Sequence, residues 1–180
     1  MRKALWRGAI LKGRNYRLTR GQPYTQSKYI HGSPVKKVSR FTMGDARGSY
    51  GYRVSLLSES RIQIRHNALE AARVATNKVL SDKLGETGYV LQLRAYPHIV
   101  LRENRMIATA GADRLQEGMR KSFGKPSSRA ARLERNQPVI TVETDEGSLE
   151  LAKNALRVGA AKLPTQCKIV FEKLNAPSTP

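Results

Sequence analysis

The chain carries a 31-residue stretch, positions 102 to 132, that sits between two segments of strand-like alternation and keeps no hydrophobic period of its own. It strings Arg102, Arg105, Arg114, Arg120, Lys121, Lys125, Arg129 and Arg132 among Gly111, Gly118 and Gly124. Irregular stretches beyond about 12 to 15 residues are uncommon inside a compact domain and are usually functional or disordered. A basic one punctuated by glycine is expected to project from the domain and meet a polyanion.

The overall charge points the same way. Lys and Arg number 33 against 14 Asp and Glu, a formal +19 on 180 residues, far more than solubility requires. Nucleic acid and an anionic membrane both fit, but no apolar run approaches the roughly 20 residues that span a bilayer. The N-terminal apolar pieces Ala4 to Trp6 and Ala9 to Leu11 are too short and interrupted for a signal peptide. The reading is a cytoplasmic, nucleic-acid-binding chain with no membrane partner. Cys167 stands alone and is expected to be a small buried hydrophobe.

Residues 1–37 read as a basic N-terminal arm, 38–174 as a single α+β domain from which the basic stretch projects, and 175–180 as a short polar tail. The arm interleaves Trp6, Tyr16, Tyr24 and Tyr29 with cations, while Gly8, Gly13, Gly21, Pro23, Gly32 and Pro34 interrupt regular structure. Rings stack on unpaired bases while neighbouring cations neutralise phosphates, so the arm is expected to order only on its partner.

Within the domain, Val38 to Met43, Tyr52 to Ser58, Tyr89 to Tyr96, His98 to Arg102, Pro138 to Thr144 and a last segment with Cys167, Ile169 and Phe171 on one face alternate as strands. Ile62 to Leu84 reads as a helix whose apolar face holds Ile64, Ala68, Ala72, Ala75 and Val79, stopped by Gly85, with Arg65, Arg73 and Lys78 pointing outward. Arg65-His66-Asn67 near its start has the chemistry of a phosphate contact and equally of a solvated first turn. A second helix is expected behind an Ser148 N-cap, with Leu149, Ala152, Leu156, Ala160 and Leu163 apolar and Pro164 at its end. The outline is one mixed sheet packed by two helices.

Catalytic chemistry finds no footing. His31, His66 and His98 share no metal-ligand spacing with each other or with Cys167, and no metal or cofactor is expected. Glu103, Asp113 and Glu117 read as internal partners for the loop arginines. Gly124-Lys125-Pro126 lacks the Ser or Thr that a phosphate-binding loop needs after its lysine.

Residues 65 to 80, Arg-His-Asn-Ala-Leu-Glu-Ala-Ala-Arg-Val-Ala-Thr-Asn-Lys-Val-Leu, together with Arg102-Glu-Asn-Arg-Met106 and the run from Gly111 to Pro126, resemble the archaeal and eukaryotic branch of the universal large-subunit ribosomal protein sixteen family. The resemblance extends from Arg14-Asn-Tyr-Arg17, Pro23-Tyr-Thr25 and Tyr29-Ile-His-Gly32 to Lys162-Leu-Pro164 and Cys167-Lys-Ile-Val170, and its wording is more archaeal than eukaryotic. Ser33-Pro-Val-Lys-Lys37 and the length of residues 1 to 13 depart from the family pattern.

The resemblance implies an α/β hammerhead-like fold and a non-catalytic, ribosome-associated component of the large subunit. Its partners would be large-subunit rRNA, tRNA and neighbouring ribosomal proteins, with the loop at about 102–118 reaching toward the peptidyl transferase region. The rRNA contacts are expected at Arg7, Lys12, Arg14, Tyr16, Arg17, Arg20 and Lys28 in the arm, and at Arg65, Arg120, Lys121, Lys125, Arg129 and Arg132 in the domain. Arg102, Arg105, Met106 and Arg114 form the tRNA-proximal part of the loop. The alternatives are an RNA-processing nuclease and a nucleic-acid architectural protein.

Overall fold

The computed structural model describes residues 4–6, 16–17, 29–104, 120 and 123–174. Among the described residues ten strands fall into two sheets. β1 (Ala4–Trp6), β3 (Thr42–Gly44), β4 (Tyr52–Ser58), β6 (Val90–Leu93), β9 (Pro138–Thr144) and β10 (Cys167–Lys173) form a six-stranded sheet of order β1-β10-β4-β9-β6-β3. β2 (Tyr16–Arg17), β5 (Ile62–Arg65), β7 (Ile99–Glu103) and β8 (Lys125–Leu133) form a second, of order β2-β5-β8-β7. Every pairing is antiparallel. The α+β class is as expected, but two antiparallel sheets stand where one mixed sheet was expected.

The two helices of the described residues are α1 (His66–Leu84) and α2 (Leu149–Ala160). They pack on each other, α1 also against β5 and β8 and α2 against β4, β9 and β10, so the helix pair bridges the two sheets. In the main core Val54, Leu56, Ile140 and Val142 of the large sheet join Ile62, Ile64, Ala131 and Leu133 of the small one beneath Leu69, Leu80 and Leu156, while Ile99, Leu101 and Ala130 form a small second cluster. Small residues line the helix contact, where Ala68, Ala72, Thr76, Ala152, Ala155 and Gly159 are all buried. Small side chains let the axes approach closely. None of these helices is long and apolar enough to cross a membrane.

The alternation of Tyr52–Ser58 and Pro138–Thr144 gives strands with those bounds. Several expectations change, and the strand expected over Val38 to Met43 is only Thr42–Gly44. Ile62–Arg65 is a strand, with α1 beginning only at His66. The buried face of α1 is His66, Ala68, Leu69, Ala72, Thr76 and Leu80, with Ala75 and Val79 only partly covered. Ser148 occupies the N-cap position of α2 but its side chain makes no capping bond, because Glu146–Ser148 already forms a 3-10 turn leading in. Phe171 is exposed, its ring 5.1 Å from the Lys153 ammonium, since β10 outruns the core at its C-terminal end.

The stretch expected to lack any period contains the longest strand in the fold, nine-residue β8. It pairs with β5 on one side and β7 on the other. In the N-terminal segment, Ala4–Trp6 pairs with β10 and Tyr16–Arg17 with β5, so parts of the arm are sheet strands and not structureless chain awaiting a partner.

Candidate nucleic-acid interface

The β7–β8 pair carries the chain out into the long basic stretch and back. Gly124 makes the return possible: its φ of +75° is disfavoured for residues with a side chain, and a Cβ there would lie 2.7 Å from the Glu103 carbonyl carbon. Pairing then runs Glu103↔Lys125 and Arg102↔Pro126 but Leu101↔Ser128, so Ser127 is the extra residue of a bulge. A bulge bends the strand and re-aims side chains. Here it brings Ser127 and Ser128 together at the lip of a recess.

That recess, 190 Å³ in volume, is lined by Lys37, Arg65, His66, Asn67, Glu103, Ser127 and Ser128. β5 ends in Arg65, which is the N-cap residue of α1. Arg65 is buried and its guanidinium pairs with the Glu103 carboxylate from β7. The outward-pointing Arg65 expected from the helical reading is therefore corrected: as the last residue of a strand it turns into the sheet and meets an acid 38 residues further along the chain. His66 is 4% exposed, and its Nδ1 accepts the Lys37 main-chain N–H at 3.3 Å. Burial first, then the charges of Lys37, Arg65 and Arg129, lowers its pKa from the ordinary 6.5, so the imidazole is neutral at pH 7. The solvated first turn is corrected as well, since only Asn67 of the three residues is exposed.

Other expected contacts sort themselves by surroundings. Lys125 and Arg120 are exposed. Arg129 donates from Nη2 to the Ser33 hydroxyl at 2.8 Å, which ties β8 to the loop preceding the core. Arg132 is half-buried, with Nε 3.7 Å from the Glu134 carboxylate. Arg102 lies with its guanidinium carbon 3.5 Å from the centroid of exposed Phe123. Arg73, expected to point outward, is held by Glu70 and reaches Met43 on β3. Glu103 is an internal partner for an arginine, as expected. Tyr16 and Arg17 are placed by their backbone beside Ile64 and Gln63. Arg7, Lys12, Arg14, Arg20, Lys28, Arg105, Met106, Arg114 and Lys121, with Asp113 and Glu117, lie outside the described residues.

Sequence reasoning missed two groups. Lys37, Ser127 and Ser128 join the recess only through a loop and a bulge. Phe41 and Tyr96 stack at 5.4 Å with the Lys36 ammonium 5.0 and 4.8 Å from their rings, a pairing across 55 residues that period alone does not reveal.

Comparison with known proteins shows the family to which the chain belongs. Residues 19–170 match the profile of the family described as ribosomal protein L16p/L10e. The chain belongs to that family, and is a structural component rather than an enzyme. It is 54% identical over 149 residues to the large ribosomal subunit protein uL16 of Hyperthermus butylicus, covering 83% of each chain. Its identity to the protein of the same description from Staphylothermus marinus is 52%, over 86% of this chain and 89% of the relative. With that of Sulfolobus acidocaldarius it is 50%, over 91% and 94%.

Proposed function

We propose that the chain is a constituent of the large ribosomal subunit, bound to its rRNA beside the tRNA groove and near the peptidyl transferase region, and so ribosome-associated in the cytoplasm. One observation carries the reading. At the mouth of the long basic stretch, Lys125 and Arg120 are exposed with no acidic side chain paired to them among the described residues, in a chain of formal charge +19. Exposed cations without an acidic partner suit the phosphates of a folded RNA.

On this reading the α/β hammerhead-like core holds out two extensions. The arm, residues 1–37, and the loop at about 102–118 meet rRNA and tRNA, with Arg102, Arg105, Met106 and Arg114 on the tRNA side. Arg7, Lys12, Arg14, Tyr16, Arg17, Arg20, Lys28, Arg120, Lys121, Lys125, Arg129 and Arg132 are the rRNA contacts. Arg65 acts differently, because Glu103 already shares its charge. The remaining faces meet neighbouring ribosomal proteins.

Sedimentation of the tagged protein from a lysate tests the assignment, which expects co-migration with the large subunit through a moderate salt wash. Filter binding to large-subunit rRNA tests the contacts. If about 6 to 10 phosphates are engaged, affinity falls by about 10³ to 10⁵ between 50 and 200 mM salt. A flat salt response, or equal affinity for duplex DNA at the same salt, overturns the reading.

A further inference from the structure

The recess at the start of α1 is built from groups that donate hydrogen bonds. Lys37 N–H holds Nδ1 of His66 as the acceptor, which puts the proton of the neutral ring on Nε2. That N–H finds no partner among the described residues, although the side chain is more than nine-tenths buried and lines the recess. A buried imidazole that lines a polar recess and keeps one ring donor unbonded among the described residues is suited to an acceptor there.

The surroundings agree on the sign of that acceptor. α1 runs 19 residues, has no side-chain cap and no acid in its first turn, so its first N–H groups and the positive end of its dipole lie beside the recess uncompensated. The Lys37 ammonium adds a full charge. Glu103 is the single acid of the lining, and its carboxylate is taken up by Arg65. The hydroxyls of Ser127 and Ser128 are held only by bonds of 3.4 Å to the carbonyls of Leu101 and Arg129, long enough to be exchanged for a better acceptor. The recess, about 190 Å³, has room for several waters and is ample for a tetrahedral oxyanion.

We propose that this recess seats one phosphate group of an RNA strand, with His66 Nε2–H, the first-turn N–H groups of α1, Lys37 and the two serine hydroxyls as its donors. The assignment rests on the rRNA-binding reading and adds to it a built site for a single phosphate, distinct from cations spread along the arm and loop.

The test turns on Asn67, exposed in the first turn. Asn67→Asp supplies the acid that α1 lacks, so it should leave the thermal midpoint unchanged or raised, while setting a negative charge against the bound phosphate. Affinity for purified large-subunit rRNA should fall roughly tenfold. Asn154→Asp, the same charge change on the exposed side of α2, should fall less than twofold. In ¹H–¹⁵N spectra of the wild-type chain, inorganic phosphate should shift the His66 ring and Asn67 amide resonances saturably.

Equal rRNA affinity of the two variants overturns the proposal while leaving the rRNA reading intact. If phosphate saturates those resonances and the two variants still bind rRNA alike, the recess takes a free anion and its assignment to RNA is overturned. A wild-type chain without salt-dependent rRNA binding overturns the broader reading, and this assignment with it.

Discussion

Gly159 of α2 lies so close to Thr76 of α1 that a Cβ on the glycine would come within 2.2 Å of the threonine Oγ1. That hydroxyl is itself fixed, donating to the Ala72 carbonyl at 2.8 Å. Gly159→Ala should therefore destabilise the fold by about 1 to 3 kcal/mol, the usual cost of overpacking a well-filled core. Thr76→Ala should recover part of the loss in the double variant. Chemical denaturation of the four proteins in a mutant cycle measures the coupling, which additivity would refute.

Breaking the Arg65–Glu103 pair should cost more than breaking surface pairs such as Arg61–Glu134. Both members of the first are largely covered, with side-chain exposures of 10% and 21%, against 44% and 58% for the second. Removing one partner of a buried pair leaves the other charge uncompensated, at about 3 kcal/mol or more. An exposed pair contributes about 0 to 1 kcal/mol. Glu103→Ala and Glu134→Ala should separate accordingly in urea midpoints, and equal shifts would contradict the burial argument.

Cys167 should be inert in the folded chain. Burial first, with the nearby Glu59 charge, pushes its thiol from 9.0 up to about 12, and the thiolate is the reactive form. Iodoacetamide at pH 8 should label it slowly in buffer and rapidly in denaturant. The linkage runs with the same sign: the unfolded thiol ionises first, so the contribution to stability is whole below about pH 9 and is lost as pH rises from there toward 12. Cys167→Ala should remove that alkaline component.

His66 works at the other end of the scale. Its folded pKa lies below 6.5, so below that pH the unfolded chain binds the proton more readily. Stability should be undiminished by this group above about pH 6.5 and decline as pH falls through its folded value. His66→Gln should flatten the slope of stability against pH just below 6.5. An unchanged slope would mean that the ring is not held neutral.

What could be read in advance depended on where each residue's partners lie in the chain. Strands such as Tyr52–Ser58 and Pro138–Thr144 announce themselves because branched and apolar residues alternate with polar ones. β8 gives no such signal: its buried positions are Ser128, Ala130, Ala131 and Leu133, mostly too small to register as a hydrophobic face, and its arginines suggest solvent. Ile64 stands four residues before Ala68, a helical spacing that a strand running straight into a helix imitates. The basic character of the chain is legible from charge alone. The recess is not, since Lys37, His66, Glu103 and Ser127 are brought together by a bulge and a strand end that only tertiary pairing creates.

β4 is flanked by β10 and β9, and β10 in turn by β1. The first strand of the chain thus waits for the last, and β4 finds neither neighbour until another 80 residues or more have followed it. At ordinary rates of synthesis its two open edges stay unpaired for several seconds. Until the C-terminal segment has been made, this cationic polypeptide therefore carries a central strand with bare backbone on both sides, the kind of edge that invites pairing with another chain.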